Sequence, residues 1–251
     1  MRFYKIEKNI KENSFFPLRL LKFINVIWLK MPKEEQTSRI VELNEDLIQN
    51  NDRLAAENNQ TLKKYNIRSF DVVGAIGAGK TAILEAIVEK LSKDYKILVI
   101  NGDVATRVDA DRIEKHGAHT IQVNTGRECA LNSYHISQVI GNIDLSEYED
   151  GILFIENVGN LICPSDFILG AEKRVVVVSI TEGPWVVRKH PLLFKFSDIA
   201  VINKVDLNEV IEVDIEEMVK DAKEINPSLK VFTTSAKTGE NIPELIQALE
   251  L

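Results

Sequence analysis

The chain has 251 residues, of which 45% are hydrophobic and 27% are charged, and its formal net charge is −7. This length suits one sizeable α/β domain with a short appendage, and the composition is ordinary for a globular protein. Two cysteines are too few for a disulfide framework, so we expect a reducing, cytoplasmic setting. The acidic balance argues against nucleic-acid binding, which needs a basic face.

Residues 1–33 differ sharply in charge from the rest of the chain. They carry a net charge of +6, which leaves a net charge of −13 for residues 34–251. Their apolar stretch, 15–31, is interrupted by Arg19 and Lys22 and is too short for a membrane helix, so we predict no transmembrane segment. Three interpretations of this basic leader stay open: a disordered or weakly membrane-associated segment, an extra helix docked on the body, or an upstream extension before a natural start at Met31.

The second predicted segment, 34–68, contains a polar helix at 34–64, because leucine and isoleucine recur near the helical period. This helix could pack on the following domain or reach a partner subunit. From residue 69 to 251 the pattern alternates between strands and helices. Strands are predicted at 70–74, 96–102, 119–124, 151–157, 174–181, 198–204 and 229–235, and helices at 80–92, 110–117, 129–140, 214–225 and 241–250.

Several of the predicted strands, such as VVVVSI, are continuously apolar, which is typical of strands buried on both faces. The predicted fold class is therefore α/β, with a mostly parallel central sheet, helices on both faces and an N-terminal helical appendage.

The stretch GAIGAGKT lies between a predicted strand and a predicted helix and matches the P-loop pattern G-x-x-x-x-G-K-[ST]. Its glycines let backbone N–H groups turn toward phosphate oxygens. We expect the lysine to reach the β- and γ-phosphates and the threonine hydroxyl to coordinate Mg²⁺. The predicted phosphate-binding residues are Gly74, Ala75, Ile76, Gly77, Ala78, Gly79, Lys80 and Thr81.

A guanine-binding pattern, NKVD, follows the predicted strand at 198–204. The Asp206 carboxylate can accept two hydrogen bonds from guanine, whereas adenine offers no such pair of donors. Lys204 would lie along the base and ribose, and Asn203 would brace the neighbouring loops. The turn Ser235, Ala236, Lys237 resembles the loop whose backbone N–H contacts guanine O6, although a plain polar turn is the alternative. Together with the P-loop, these patterns predict GTP rather than ATP as the nucleotide.

Two acidic segments follow strands at the edge of the sheet where the P-loop lies. Asp103 and Glu156 are placed to hold Mg²⁺ and an attacking water, so Lys80, Asp103 and Glu156 are the predicted catalytic residues. Gly159 could contribute a backbone N–H to the γ-phosphate. Solvated loop acids are the alternative, and Asp109 and Asp111 could equally begin the next helix.

The order and spacing of GAIGAGKT, GDVATRVDADRI, NTGREC, ENVGNLICP, TEG and NKVDL resemble those of the hydrogenase nickel-insertion GTPases, the HypB family. The resemblance covers roughly residues 36–251, and ENVGNLxCP is its most specific part. It implies a P-loop GTPase fold, slow GTP hydrolysis and a homodimer favoured by GTP. It also implies nickel transfer to a hydrogenase precursor together with a second nickel-accessory protein.

The resemblance further implies that Cys129 and Cys163 form a Zn²⁺ or Ni²⁺ site at the dimer interface. The position of the family's histidine ligand is occupied by Ala130. His135 does not replace it, because six residues along the predicted helix place it about 240° around from Cys129. Two cysteines from each of two subunits would give a four-thiolate set, while two buried small hydrophobic residues are the alternative.

Two other functions stay open at this point. Ala130 favours a diverged regulatory P-loop GTPase without metal transfer. A small-molecule P-loop kinase would ordinarily use ATP, and NKVD argues against it. The TEG turn is followed by Pro184 and Trp185, where the family usually carries acidic residues.

Overall fold

The computed structural model describes residues 33–103, 107–126 and 128–251, with side chains from residue 47 onward. The basic leader lies outside this range, apart from its last residue, and so do its three interpretations. No helix in the described residues is long and apolar enough to cross a membrane.

The described chain contains a seven-stranded sheet in the order β3-β2-β4-β1-β5-β6-β7, with every neighbouring pair parallel. This confirms the predicted fold class. Because all the strands run the same way, their carboxyl ends meet at one edge of the sheet, where ligands bind in such folds. The strands are β1 Arg68–Gly74, β2 Ile97–Asp103, β3 His119–Asn124, β4 Ile152–Glu156, β5 Lys173–Ser179, β6 Ile199–Asn203 and β7 Lys230–Thr234.

The helices cover both faces of the sheet. Helices α2, α3 and α9 pack on the face that contains Val72 and Val99, while α1, α4, α5, α6 and α8 pack on the face that contains Val73 and Leu98. The short helices α5, α6 and α7 were not predicted, because four or five residues are too few to show a hydrophobic period. The helices are α1 Lys33–Lys64, α2 Lys80–Leu91, α3 Val108–Glu114, α4 Ser133–Gly141, α5 Val186–Lys189, α6 Pro191–Lys195, α7 Asn208–Ile211, α8 Ile215–Ile225 and α9 Ile242–Ala248.

Residues Gln49–Leu251 form one compact unit, and the α1 residues before Gln49 fall outside it. The predicted division into 1–33, 34–68 and 69–251 stays a prediction. Within the compact unit, Asn51, Ala55, Asn58 and Leu62 are the buried residues of α1. This buried stripe is half polar.

Helix α4 begins at Ser133, so the predicted start at residue 129 is wrong. The Asn132 side chain accepts a hydrogen bond from the His135 backbone N at 3.2 Å, and the His135 side chain accepts one from the Asn132 backbone N at 3.2 Å. This reciprocal cap fixes the first turn. Cys129 and Ala130 therefore lie in the loop before the helix.

Candidate functional site

The P-loop curls between β1 and α2. One of its glycines is required by close packing and another by its backbone conformation. A Cβ at Gly74 would lie 2.0 Å from the Val177 carbonyl oxygen, and Gly79, with φ of 100°, leads directly into α2.

Lys80 is buried, and its ammonium donates to the carbonyls of Gly74 at 3.1 Å and Ala75 at 3.0 Å. Burial lowers the pKa of Lys80, while the neighbouring carboxylate of Glu156 opposes this effect.

Glu156 is the most deeply placed acid of the site, with 4% of its surface exposed. Its carboxylate accepts hydrogen bonds from the Thr81 hydroxyl at 2.7 Å and from the Asn101 amide at 2.8 Å. Burial raises the pKa of Glu156 to about 7, and the hydrogen bond from Thr81 and the charge of Lys80 oppose that rise. The Thr81 hydroxyl and this carboxylate are hard oxygen donors side by side, so these residues fit Mg²⁺.

A cavity of about 310 Å³ surrounds these groups. It brings together most of the predicted phosphate-site residues, but it also contains Asn101 and Arg112, which the sequence analysis missed. Asp109 faces this cavity from α3 and accepts from Arg112 at 3.2 Å, whereas Asp111 pairs with Arg107 at 3.3 Å on the surface. The predicted residues that line the cavity are Ile76, Gly77, Gly79, Lys80, Thr81, Asp103, Glu156 and Gly159.

A second cavity, of about 580 Å³, adjoins the first and shares Gly79 with it. Asp206 lines it, and its carboxylate accepts a hydrogen bond from the Ser235 hydroxyl at 2.7 Å. The Ser235 contact fixes the carboxylate at the cavity wall. The other predicted base-site residues on this wall are Asn203, Lys204, Ala236 and Lys237.

The Asn203 side chain joins the two cavities. Its amide nitrogen donates to the Ala78 carbonyl in the P-loop at 3.0 Å. Its amide oxygen accepts from the Ala236 backbone N at 3.2 Å and from the Thr234 hydroxyl at 3.3 Å. Asn203 is fully buried, so these contacts are shielded from water.

Glu182, in the TEG turn after β5, is a further acid that the sequence analysis did not single out. One carboxylate oxygen accepts from the Ser179 backbone N at 2.8 Å, and the other is buried without a hydrogen-bond partner in the described part of the chain. Burial raises the pKa of Glu182, and the charges of Lys204 and Lys80 oppose that rise. This acid follows β5, which lies between the strand that leads into the P-loop and the strand that leads into NKVD.

The two cysteines lie together in one chain, although 34 residues separate them in sequence. They form a disulfide whose Cα atoms are 6.2 Å apart. Cys129 is exposed and Cys163 is half-buried, while Ala130 is buried. A disulfide has no thiolate to offer a metal, so metal binding at this pair requires its reduction.

His135 is engaged in the cap of α4 and is not presented as a third ligand, which is a different reason from the one that the sequence suggested. Its Nδ1 accepts a hydrogen bond from the Asn132 backbone N at 3.2 Å, so a neutral ring carries its proton on Nε2. That nitrogen lies 3.6 Å from a Glu128 carboxylate oxygen. In this arrangement neither ring nitrogen presents a free lone pair, because Nδ1 accepts from the backbone and Nε2 carries the proton. In the described residues no group of three or more histidine, cysteine or acidic side chains is arranged to hold an ion.

A family model described as "CobW/HypB/UreG, nucleotide-binding domain" matches residues 69–233. A probable hydrogenase maturation factor HypB of Methanocaldococcus jannaschii is 44% identical over 84% of this chain and 95% of its own length. The chain belongs to the HypB family. The HypB of Azotobacter vinelandii is 36% identical over 85% of this chain and 70% of its own length.

Solved structures of HypB proteins share the fold. HypB from Archaeoglobus fulgidus is 42% identical, with a TM-score of 0.74 over 80% of this chain and 97% of that one. HypB from Helicobacter pylori, solved in complex with nickel, is 33% identical, with a TM-score of 0.74 over 80% of this chain and 94% of that one. Membership of the HypB family therefore makes this chain a nucleotide-binding protein with a P-loop GTPase fold.

The raised pKa of Glu156 makes the stability of the nucleotide-free protein depend on pH. A carboxyl group with a folded pKa of about 7 stabilises the fold at low pH, and this contribution is lost as pH rises through 7. Glu156→Gln stays neutral, so we expect it to gain on the order of 2 kcal/mol over wild type between pH 5 and pH 8. Urea unfolding without Mg²⁺ measures this.

The exposed substitution Glu244→Gln is the matched control and should show no such pH-dependent gain. Equal pH dependence in wild type and Glu156→Gln would contradict the assignment of a raised pKa to this carboxyl group.

Proposed function

We propose that this protein is a GTP-hydrolysing metallochaperone switch that assists nickel insertion into a hydrogenase precursor. The observation that carries the proposal is the pair of adjoining cavities joined by Asn203, one lined by the P-loop and the other by Asp206. A P-loop alone would suit many nucleotides. Asp206 in the second cavity is the group that we assign to distinguishing between purines.

Guanine selection is assigned to Asp206. A carboxylate at this wall accepts hydrogen bonds from guanine N1–H and its 2-amino group, whereas adenine would leave it unsatisfied. Lys204 and Lys237 also line this cavity and would flank the base, with Ala236 beside it. This geometry supports GTP over ATP and therefore a GTPase over a small-molecule kinase.

Hydrolysis is assigned to the first cavity. Lys80 would move from the P-loop carbonyls to the phosphates, and Thr81 with Glu156 would hold Mg²⁺, directly or through water. Mg²⁺ would neutralise charge that develops on the phosphate oxygens. Asp103 helps to position the metal and the water, and the Gly159 backbone N–H is assigned to the γ-phosphate. A Cβ at Gly159 would lie 2.4 Å from Ile76, so this loop is already packed on the P-loop.

The proposed metal cargo, Ni²⁺ or Zn²⁺, binds the reduced Cys129 and Cys163. Two such pairs in a homodimer favoured by GTP give four thiolates. A HypB structure solved with nickel supports nickel as the cargo. The relatives named hydrogenase maturation factors support a hydrogenase precursor as its recipient. A second nickel-accessory protein and a cytoplasmic location complete the proposal.

The segment 156–163 supports a link between nucleotide and metal. The Asn157 side chain accepts from the Leu131 backbone N at 2.9 Å, two residues after Cys129. The Asn160 backbone N donates to the Gly74 carbonyl at 3.0 Å, and its side-chain amide contacts Cys163 Sγ at 3.4 Å. A shift of this segment on hydrolysis would therefore reach both cysteines.

A diverged regulatory GTPase without metal transfer is the second candidate, and Ala130 favours it. This residue is 5% exposed, in the place of the family's histidine ligand, so it behaves as a packing residue. The two candidates share the nucleotide site and differ only in whether the reduced cysteines bind metal.

Asp206→Asn tests the nucleotide assignment. The asparagine amide presents a donor where the carboxylate accepted, so it suits the C2 carbonyl of xanthine and opposes the 2-amino group of guanine. We expect GTP affinity to fall by at least about 100-fold and xanthosine triphosphate to bind in its place. Calorimetry measures both, and the exposed change Asp94→Asn should alter neither. Retention of guanine preference in Asp206→Asn would remove this residue from the base site.

Cys163→Ala tests the metal assignment. In the reduced protein we expect Ni²⁺ and Zn²⁺ affinity to fall by at least about tenfold, because a direct ligand matters at least as much as its outer partners. GTP affinity should change by no more than about twofold, since the thiol lies outside both cavities. Competition dialysis measures the metal affinities. Equally weak metal binding by wild type and variant would favour the regulatory GTPase.

A further inference from the structure

The buried stripe of α1 is polar where an amphipathic helix is ordinarily apolar. Asn51 and Asn58 are 7% and 2% exposed and lie in line with Ala55 and Leu62. Burying an asparagine costs free energy unless its amide groups find hydrogen-bond partners. Leucine at these positions would pack without this cost. The hydrogen-bond partners of the two amides therefore indicate what the asparagines contribute.

Asn51 binds two segments that are distant in sequence. Its Oδ1 accepts from the Ser133 backbone N at 3.0 Å, and its Nδ2 donates to the Ile168 carbonyl at 3.0 Å. The Ser133 hydroxyl lies 2.8 Å from both Oδ1 and the backbone carbonyl oxygen of Asn51. Ser133 comes four residues after Cys129, and Ile168 comes five residues after Cys163. One side chain thus holds both cysteine-bearing segments.

Asn58 repeats this arrangement two helical turns later. Its Nδ2 donates to the Ser133 carbonyl at 2.8 Å and to the Leu169 carbonyl at 3.1 Å. The second segment approaches α1 so closely that a Cβ at Gly170, where φ is +92°, would lie 2.2 Å from the Ala55 carbonyl oxygen. Asn59 donates at 3.0 Å to the carbonyl of Gly170 in this second segment, and within the described residues its side chain makes no hydrogen bond to the first segment.

We propose that Asn51 and Asn58 are positioning residues for the Cys129–Cys163 pair, a role that rests on the proposed metal function. Both act through Ser133 and the carbonyls of residues 168 and 169, which they tie to one rigid helix. We call these hydrogen bonds of Asn51 and Asn58 the polar clamp. The separation of the two sulfur atoms then depends on this clamp. The dependence is strong because Ala130 supplies no third ligand to define the site.

The first test uses Co²⁺ as a probe of the reduced protein, read by its thiolate-to-metal charge-transfer absorption. Asn51→Ala and Asn58→Ala should each lower Co²⁺ affinity by about tenfold and shift the absorption band, as loss of an outer partner does at metal sites. GTP affinity should stay within about twofold of wild type. Asn59→Ala is the matched control and should retain wild-type Co²⁺ affinity. Ser133→Ala, a smaller change, should give a milder shift in the same direction.

The second test needs no metal. The reduced protein is equilibrated with glutathione disulfide: the two cysteine thiols become one protein disulfide, and one glutathione disulfide becomes two glutathione thiols. If the clamp holds the sulfur atoms together, the Asn51→Ala and Asn58→Ala variants should form the protein disulfide roughly tenfold less favourably than wild type.

The outcomes separate this inference from the proposed function. Variants that bind GTP and Co²⁺ as wild type does, and that form the protein disulfide as favourably with glutathione disulfide, would overturn the clamp. The metal function would be left standing. Absence of a charge-transfer band in wild type would overturn the metal function, and the glutathione equilibrium alone would then decide the clamp. Loss of GTP binding in Asn51→Ala, Asn58→Ala and Ser133→Ala would show a general structural role and overturn the inference.

Discussion

The side-chain amide of Asn203 is the contact on which the nucleotide site depends. It donates to the Ala78 carbonyl on one side and accepts from the Ala236 backbone N on the other, so it fixes the P-loop against the loop that follows β7. A Cβ at Gly79 would lie 2.3 Å from this amide nitrogen. The glycine is therefore required by the amide as well as by its own backbone conformation. One buried group therefore connects the loops that line the two cavities.

The parallel sheet places the remaining groups around that unit. Asn101 and Glu156 stand opposite each other in the register of β2 and β4, and Asn203 stands opposite Thr234 in β6 and β7. Burial at this edge raises the pKa of Glu156 to about 7. The same loop continues through Asn157 and Asn160 to the cysteine-bearing segments. One loop of the chain thus runs from Glu156, at the edge of the first cavity, to the cysteine-bearing segments.

Short-range patterns predicted the strands, the P-loop and the NKVD loop, because apolar runs and glycine spacing act within a few residues. Contacts between distant residues were missed. Asn101 meets Glu156 only through strand register. The family resemblance grouped Cys129 with Cys163 as metal ligands, but no local pattern predicts that they form a disulfide within one chain. The start of α4 was placed too early because the Asn132 cap outweighs the pattern around residue 129. In α1, leucine spacing could not reveal that the buried stripe uses Asn51 and Asn58 to bind loop carbonyls.

The central claim is that a single site, held together by Asn203, binds the phosphates and selects guanine. Calorimetric titration of wild type and Asn203→Ala with GTP and with ATP tests it most directly. The account predicts that wild type prefers GTP by at least about 100-fold, and that Asn203→Ala loses both this preference and most of its affinity for the triphosphate. Equal binding of GTP and ATP by wild type, or undiminished GTP binding by Asn203→Ala, would contradict it.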